Sequence, residues 1–240
     1  MPSDDTSLII ALDYDDRSTC MAMVKQLSPK SCRLKVGKEL FTLFGPSIVE
    51  DLQALGFDVF LDLKFHDIPN TVAKAVAAAA SMGVWMVNVH ASGGQRMLEA
   101  ANNALQAFQQ SPLLIAVTVL TSMDQQDLAG IGIECEARTQ VLRLAQMTKQ
   151  AGLAGVVCSA WEVAELKQAM GAEFQCVTPG IRLAAKLNAA SSQDDQRRIM
   201  TPEQAKREGS DFLVVGRPVT QAADPGAVAE SIHLSLQSLL

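Results

Sequence analysis

Asp62, Lys64 and Asp67 lie close together in the string Phe-Leu-Asp-Leu-Lys-Phe-His-Asp-Ile-Pro-Asn-Thr, which runs from Phe60 to Thr71. An ammonium held among carboxylates can stabilise a negative charge as it develops and then deliver a proton to it. The apolar run Val59, Phe60 and Leu61 starts this stretch as a buried strand. Residues two apart on a strand share a face, so Asp62 and Lys64 are expected on one side and Leu61, Leu63 and Phe65 on the other. Pro69 lacks an N–H and cannot sit inside a parallel ladder, so the strand has ended by then. Asp67 then falls on the turn and Thr71 near the start of the next helix. This predicts a carboxylate, an ammonium and a second carboxylate gathered at one strand end. The bare spacing Asp-x-Lys-x-x-Asp also fits a solvated strand end with incidental ion pairs, so the surrounding elements must decide.

Those elements alternate along the whole chain. Short apolar runs predict strands over 8–12, 33–36, 58–64, 85–89, 113–120, 155–158, 174–177 and 211–215. Between them, helices are expected over 17–27, 39–55, 71–82, 95–109, 138–150 and 161–170, with one opening at Thr201-Pro202 and a last one running to Leu240. Thr201 has the chemistry of an N-cap, with Pro202 at the first helical position and Glu203 in the first turn. Eight strands alternating with helices is the sequence form of a closed (β/α)8 TIM barrel, an α/β fold. An open doubly wound sheet is the alternative, but no Gly-x-Gly-x-x-Gly follows the first strand.

With 240 residues, 48% hydrophobic and 19% charged, the chain suits a single domain over 1–240. A net charge of -6 argues against a nucleic-acid binder, though a local cationic pocket for a small anion remains compatible with it. Residues 1–7 are acidic and polar and lack the parts of a signal peptide. No apolar run approaches the roughly 18–20 residues of a membrane span. Cys20, Cys32, Cys135, Cys158 and Cys176 are scattered without a CxxC, so neither a disulfide framework nor a zinc site is suggested, and a cytoplasmic location is expected.

The polar residues favour one end of the predicted strands. Asp13, Lys35, Asp62, Lys64, Thr121, Arg182 and Arg217 all fall at or just after C-terminal strand ends, the rim on which barrels of this kind build active sites. Gly216-Arg217 after the eighth strand offers open backbone and a bidentate cation for a phosphate. The segment from Leu183 to Arg198 has no clear periodicity and is a candidate lid, with Gln196 available to a ligand. Lys35, Asp62, Lys64 and Asp67 would form the reacting half. Thr121 or Ser122 suits a ring amide, and Asp13 sugar hydroxyls. His66 and His90 read as packed strand-end histidines, and the Met and Trp residues as core.

The string Asp62-Leu63-Lys64-Phe65-His66-Asp67-Ile68-Pro69-Asn70-Thr71 resembles the signature of the bacterial orotidine 5′-phosphate decarboxylases. Ala11-Leu12-Asp13, Leu34-Lys35-Val36-Gly37, Val119-Leu120-Thr121-Ser122, Thr178-Pro179-Gly180-Ile181-Arg182, Asp195-Gln196-Arg197-Arg198 and Val215-Gly216-Arg217-Pro218 follow in that family's order. The resemblance implies a homodimer of TIM barrels that converts orotidine 5′-monophosphate to UMP without a metal or organic cofactor, the last step of de novo pyrimidine nucleotide synthesis. It implies Lys64 as proton donor to C6, Asp62 beside the departing carboxylate, and Lys35 in the charged network and on the ribose. Asp67 and Thr71 would reach the partner subunit's site. Asp13 would bind a ribose hydroxyl and Thr121 the pyrimidine amide. Arg182, Gln196, Gly216 and Arg217 would form the phosphate and lid region. The segment from Leu183 to Ala190 departs from the family pattern: it looks longer, and Leu183 stands where a proline is frequent.

Two rivals share parts of this pattern. Magnesium-dependent sugar-phosphate decarboxylases of the same barrel superfamily, such as 3-keto-gulonate 6-phosphate decarboxylase, also carry Asp-x-Lys-x-x-Asp, but a cation at Lys35 would oppose a metal at the centre. A non-catalytic nucleotide-binding barrel has no need of the intact Lys35, Asp62, Lys64 and Asp67 set.

Overall fold

The computed structural model describes residues 6–183 and 200–239. Its strands are β1 (Leu8–Leu12), β2 (Arg33–Gly37), β3 (Val59–Phe65), β4 (Met86–His90), β5 (Leu113–Val117), β6 (Gly155–Val157), β7 (Gln175–Thr178) and β8 (Phe212–Val215). Each pairs in parallel with the next, and β8 closes on β1 through Leu8↔Leu213, Ile9↔Val214 and Ile10↔Val215. Parallel neighbours cannot be joined by tight hairpins, so every connection crosses the outside of the barrel and carries helix. The expected (β/α)8 barrel is the fold observed.

Alternation along the strands divides the core into two layers. Leu8, Ile10, Leu12, Leu34, Val36 and Leu61 point outward against the helices. Ile9, Ala11, Phe60, Met86, Ile115, Val177 and Val214 fill the interior. The barrel is therefore plugged with apolar side chains along its lower part. One pleat further on, the same inward face of β3 carries Asp62 and that of β4 carries Asn88.

The helices among the described residues are α1 (Arg17–Val24), α2 (Lys38–Phe44), α3 (Pro46–Ala54), α4 (Pro69–Ser81), α5 (Gln95–Ala104), α6 (Gln125–Gly130), α7 (Ala137–Gln150), α8 (Val163–Met170), α9 (Pro202–Arg207), α10 (Arg217–Thr220) and α11 (Pro225–Gln237). The expected cap at Thr201 is present: its hydroxyl accepts from the Gln204 N–H at 3.2 Å, and the Gln204 side chain accepts from the Thr201 N–H at 3.2 Å. The single helix expected over 39–55 is two. Gly45 ends α2 with φ 61, its N–H donating to the Phe41 carbonyl at 2.8 Å, and Pro46 opens α3. Helix α6 was not expected; Asp124 opens it with a capping box closed by Asp127. Strand β5 stops at Val117, so Thr121 and Ser122 lie on the loop beyond it. The tryptophans depart from the expected core placement. Trp161 is 69% exposed, and Trp85 is half-buried just ahead of β4.

Candidate active site

β2 and β3 run side by side, with Gly37 opposite Asp62 and Lys35 opposite Phe60. This register brings their inward side chains together at the C-terminal mouth. Lys64 Nζ donates to Asp62 Oδ1 at 2.6 Å, Lys35 Nζ lies 3.2 Å from Asp62 Oδ2, and Asp13 Oδ1 lies 3.7 Å from Lys35 Nζ. Both oxygens of one buried carboxylate thus meet an ammonium. Burial alone would push the Asp62 carboxyl up; the Lys35 and Lys64 charges, with hydrogen bonds from Lys64 and Asn88, outweigh it and bring the pKa down to about 2. A Cβ at Gly37 would stand 3.3 Å from Lys35 Nζ, so the glycine leaves that ammonium its place.

β3 is not a regular strand where it carries the chemistry. Leu61 pairs with Val87 and Phe65 with Val89, so residues 62–64 of β3 bulge past Asn88 alone. Lys64 takes φ 52, the one positive φ outside glycine among the described residues. Its N–H donates to Asn88 Oδ1 at 2.8 Å, and Asn88 Nδ2 donates to Asp62 Oδ1 at 2.6 Å. The expected split of faces holds: Leu61 is buried on the outer side, and Leu63 and Phe65 pack there too. The bulge and the role of Asn88 were not foreseen. The available signal was one amide inside the apolar run Met86-Val87-Asn88-Val89, in phase with the inward face.

A cavity of about 290 Å³ opens above the apolar plug. Asp13, Lys35, Asp62, Lys64, Thr121, Arg182, Gly216 and Arg217 all line it. Ammonium and carboxylate groups occupy the β1–β3 side, and Val157, Val177 and Val214 supply apolar wall and floor. Arg182 and Gly180 exchange backbone hydrogen bonds with Met200, at 3.0 and 3.4 Å, so the chain leaves and returns beside the mouth. Gln196 and most of the candidate lid lie outside the described residues.

Asp67 corrects the expected gathering of two carboxylates at one strand end. Within this chain it does not join Asp62 and Lys64. It is exposed on the turn after β3, accepts from the Ile68 N–H at 2.6 Å, and lines no part of the cavity. Thr71, exposed in the first turn of α4, lines none of it either. Strand β3 regains its pairing at Phe65 and ends there, and the turn that follows leaves Asp67 outside the cavity lining. His90 is half-buried as expected, whereas His66 is exposed, their rings 5.6 Å apart. Burial first, then the His66, Lys38 and Lys64 charges, lower the His90 pKa to about 4, so it is neutral at pH 7.

Comparison with known proteins settles the lineage. The profile of the orotidine 5′-phosphate decarboxylase / HUMPS family matches residues 6–232. The chain belongs to that family. It is 61% identical over 230 residues to an orotidine 5′-phosphate decarboxylase of Teredinibacter turnerae, covering 96% of this chain and 97% of that one. It is 60% identical over 236 residues to the Vibrio campbellii protein of the same name, covering 98% and 99%. Among solved structures, the orotidine 5′-phosphate decarboxylase of Lactobacillus acidophilus superposes with a TM-score of 0.83 at 38% identity, covering 97% of this chain and 99% of that chain. These relatives match nearly the whole length of this chain, and the solved one shares its fold.

Proposed function

We propose that this protein decarboxylates orotidine 5′-monophosphate to UMP, with Lys64 as the proton donor. Family membership supports the reaction. The observation that carries the mechanism is the Lys35–Asp62–Lys64 cluster on the β1–β3 side of the cavity, with Lys64 Nζ 2.6 Å from Asp62. Breaking the bond between C6 and the carboxylate releases CO2 and leaves an electron pair in the ring plane. The ammonium of Lys64 stabilises that pair as it forms and then transfers a proton to C6. The resulting amine regains its proton from water. Asp62 keeps the ammonium in place before the reaction and stands beside the departing carboxylate. Two ammoniums already face both Asp62 oxygens, which leaves little electrostatic room for a divalent cation. No metal or organic cofactor enters this mechanism.

The remaining contacts divide by chemistry. Asp13 and Lys35 take ribose hydroxyls, and Thr121 takes the pyrimidine amide. Arg182, Gly216 and Arg217 take the phosphate, with Gln196 contributing from the lid. The phosphate sits far from C6, so its binding energy can be used to assemble the closed site. Asp67 and Thr71 act in the site of a second copy, in a homodimer. Their exposure beside Ile68, itself 66% exposed, suits an interface at this rim. Among the described residues no helix is long and apolar enough to cross a membrane; an enzyme acting on a free nucleotide suits the cytoplasm.

The test follows the ultraviolet absorbance of orotidine 5′-monophosphate with purified protein and a metal chelator. A steady loss with UMP as product is expected. No loss with chelator, but turnover of a sugar phosphate with magnesium, would assign the protein to the metal-dependent branch. UMP binding without any turnover would leave only a nucleotide-binding barrel.

A further inference from the structure

Asn88 is fully buried on β4 and faces the interior one pleat above Met86. An amide at such a position costs stability unless it is hydrogen-bonded. Both of its side-chain hydrogen bonds go to the reacting centre. Its Oδ1 accepts from the Lys64 backbone N–H at 2.8 Å, and its Nδ2 donates to Asp62 Oδ1 at 2.6 Å. The first bond falls where the β3–β4 ladder is interrupted, since residues 62–64 pass Asn88 alone between Leu61↔Val87 and Phe65↔Val89. Without the side-chain oxygen, the Lys64 N–H would be left without a ladder partner beside a backbone held at φ 52. A positive φ in a long side chain persists only where its surroundings enforce it. Asp62 Oδ1 is shared between Asn88 Nδ2 and Lys64 Nζ. The amide therefore fixes the backbone of one of these residues and the carboxylate of the other.

We propose that Asn88 is a positioning residue for the decarboxylation: its amide holds Lys64 in the left-handed backbone conformation and orients Asp62, so that the Lys64 ammonium is aimed into the cavity. This inference rests on the reading of Lys64 as proton donor. Asn88 itself does not line the cavity. It acts by setting the geometry of two groups that do, and an error of about 1 Å in such a geometry can cost on the order of 100-fold in rate.

Two variants separate this role from simple packing. N88A removes both bonds. N88D keeps the shape and the acceptor for Lys64, but its ionised carboxyl cannot donate to Asp62 and repels it. When protonated, that carboxyl restores one acceptor and one donor in nearly the amide's places. The titratable groups facing it are Asp62 and Lys64 on β3, with Lys35 on β2 behind Asp62; its neighbour on β5 is Ile115. Turnover, UMP affinity and thermal unfolding are measured for wild type, N88A, N88D and Lys64→Ala.

N88A is expected to lose kcat by about 100-fold while UMP binding changes by less than about threefold. The activity of N88D relative to wild type is expected to rise as pH falls from about 8 to about 5. Loss of packing alone would give no such recovery. If N88A does not fold, the pH profile of the volume-matched N88D decides. The inference is overturned if N88A keeps kcat within about threefold of wild type, or if N88D shows no relative gain on acidification. If Lys64→Ala itself keeps its turnover, the proton-donor reading fails first, and the two failures are told apart.

Discussion

Arg33 and Lys35 stand two residues apart on β2 and face the same interior, one toward each mouth of the barrel. Both are buried, at 5% and 9% exposure, yet their surroundings differ. The Arg33 guanidinium lies 4.3 Å over the Trp85 ring and 5.6 Å from that of Phe212. Its Nε donates to Asp58 at 3.2 Å, and a second nitrogen donates to the Thr6 carbonyl. At the N-terminal mouth, one cation thus has a carboxylate, a carbonyl and two aromatic faces. At the C-terminal mouth, two ammoniums share Asp62, and the next carboxylate, Asp13, is 3.7 Å from Lys35 with its side chain 71% exposed. Arg182 and Arg217 add further positive charge to the same cavity. A buried cation surrounded by acceptors closes a barrel. Two ammoniums sharing one carboxylate, with two guanidiniums lining the same open cavity, suit an anionic ligand.

That contrast can be broken from either mouth. The largest effect is expected for Lys64→Ala: kcat should fall by more than about 1,000-fold with UMP affinity nearly unchanged, read by absorbance turnover and calorimetric titration. Arg217→Ala should lower kcat/KM by about 100-fold, with kcat reduced as well as KM raised, because phosphate binding also assembles the site. An unchanged kcat/KM for the full nucleotide would refute the phosphate role.

The β2 pair sharpens the comparison. Arg33→Met should cost about 2–3 kcal/mol of stability in urea unfolding while leaving kcat/KM within about threefold, since it strips partners from Asp58 and the Thr6 carbonyl far from the cavity. Lys35→Met should do the reverse, with a large loss of kcat/KM. Equal effects of the two substitutions on activity would erase the distinction between the mouths.

The smallest effect is on acid stability. His90 has its pKa lowered from 6.5 to about 4, so folding favours its neutral form. Its contribution is complete above about pH 6.5 and is lost as pH falls through about 4. Asp62, lowered from 3.8 to about 2, contributes fully above about 3.8 and loses its contribution as pH falls through about 2. The urea midpoint should therefore decline in two steps on acidification, and His90→Gln should remove the upper one. An upper step undiminished in that variant would rule out His90 as its source.

Much of this was legible in the sequence. All eight strands are short apolar runs, because a parallel barrel buries both faces of each strand, and their C-terminal ends carry the polar residues in order. The pair Asp62 and Lys64 was legible because a strand places alternate residues together. Less legible were the features that depend on what stands opposite. Asn88 is one residue, and its meaning comes from a bulge on another strand. Arg33 reads as an ordinary strand start until Trp85 and Phe212 are brought around it. Gly45-Pro46 was a local signal for a helix break, masked by apolar spacing that continues across it. Asp67 was placed on the turn by Pro69, and there it is found; that this turn leaves it outside the chain's own cavity was implied only by the family resemblance, which sent it to a partner's site.

The central claim is that Lys64 moves a proton to and from C6, and proton exchange tests it directly. By microscopic reversibility, an ammonium that protonates the C6 carbanion also accepts the C6 proton of bound UMP. In D2O the wild-type protein should therefore replace that proton with deuterium, seen as loss of the H6 signal by proton NMR, while Lys64→Ala should leave the signal intact although UMP still binds. Exchange by Lys64→Ala at the wild-type rate would contradict the assignment and place the proton donor elsewhere in the cavity.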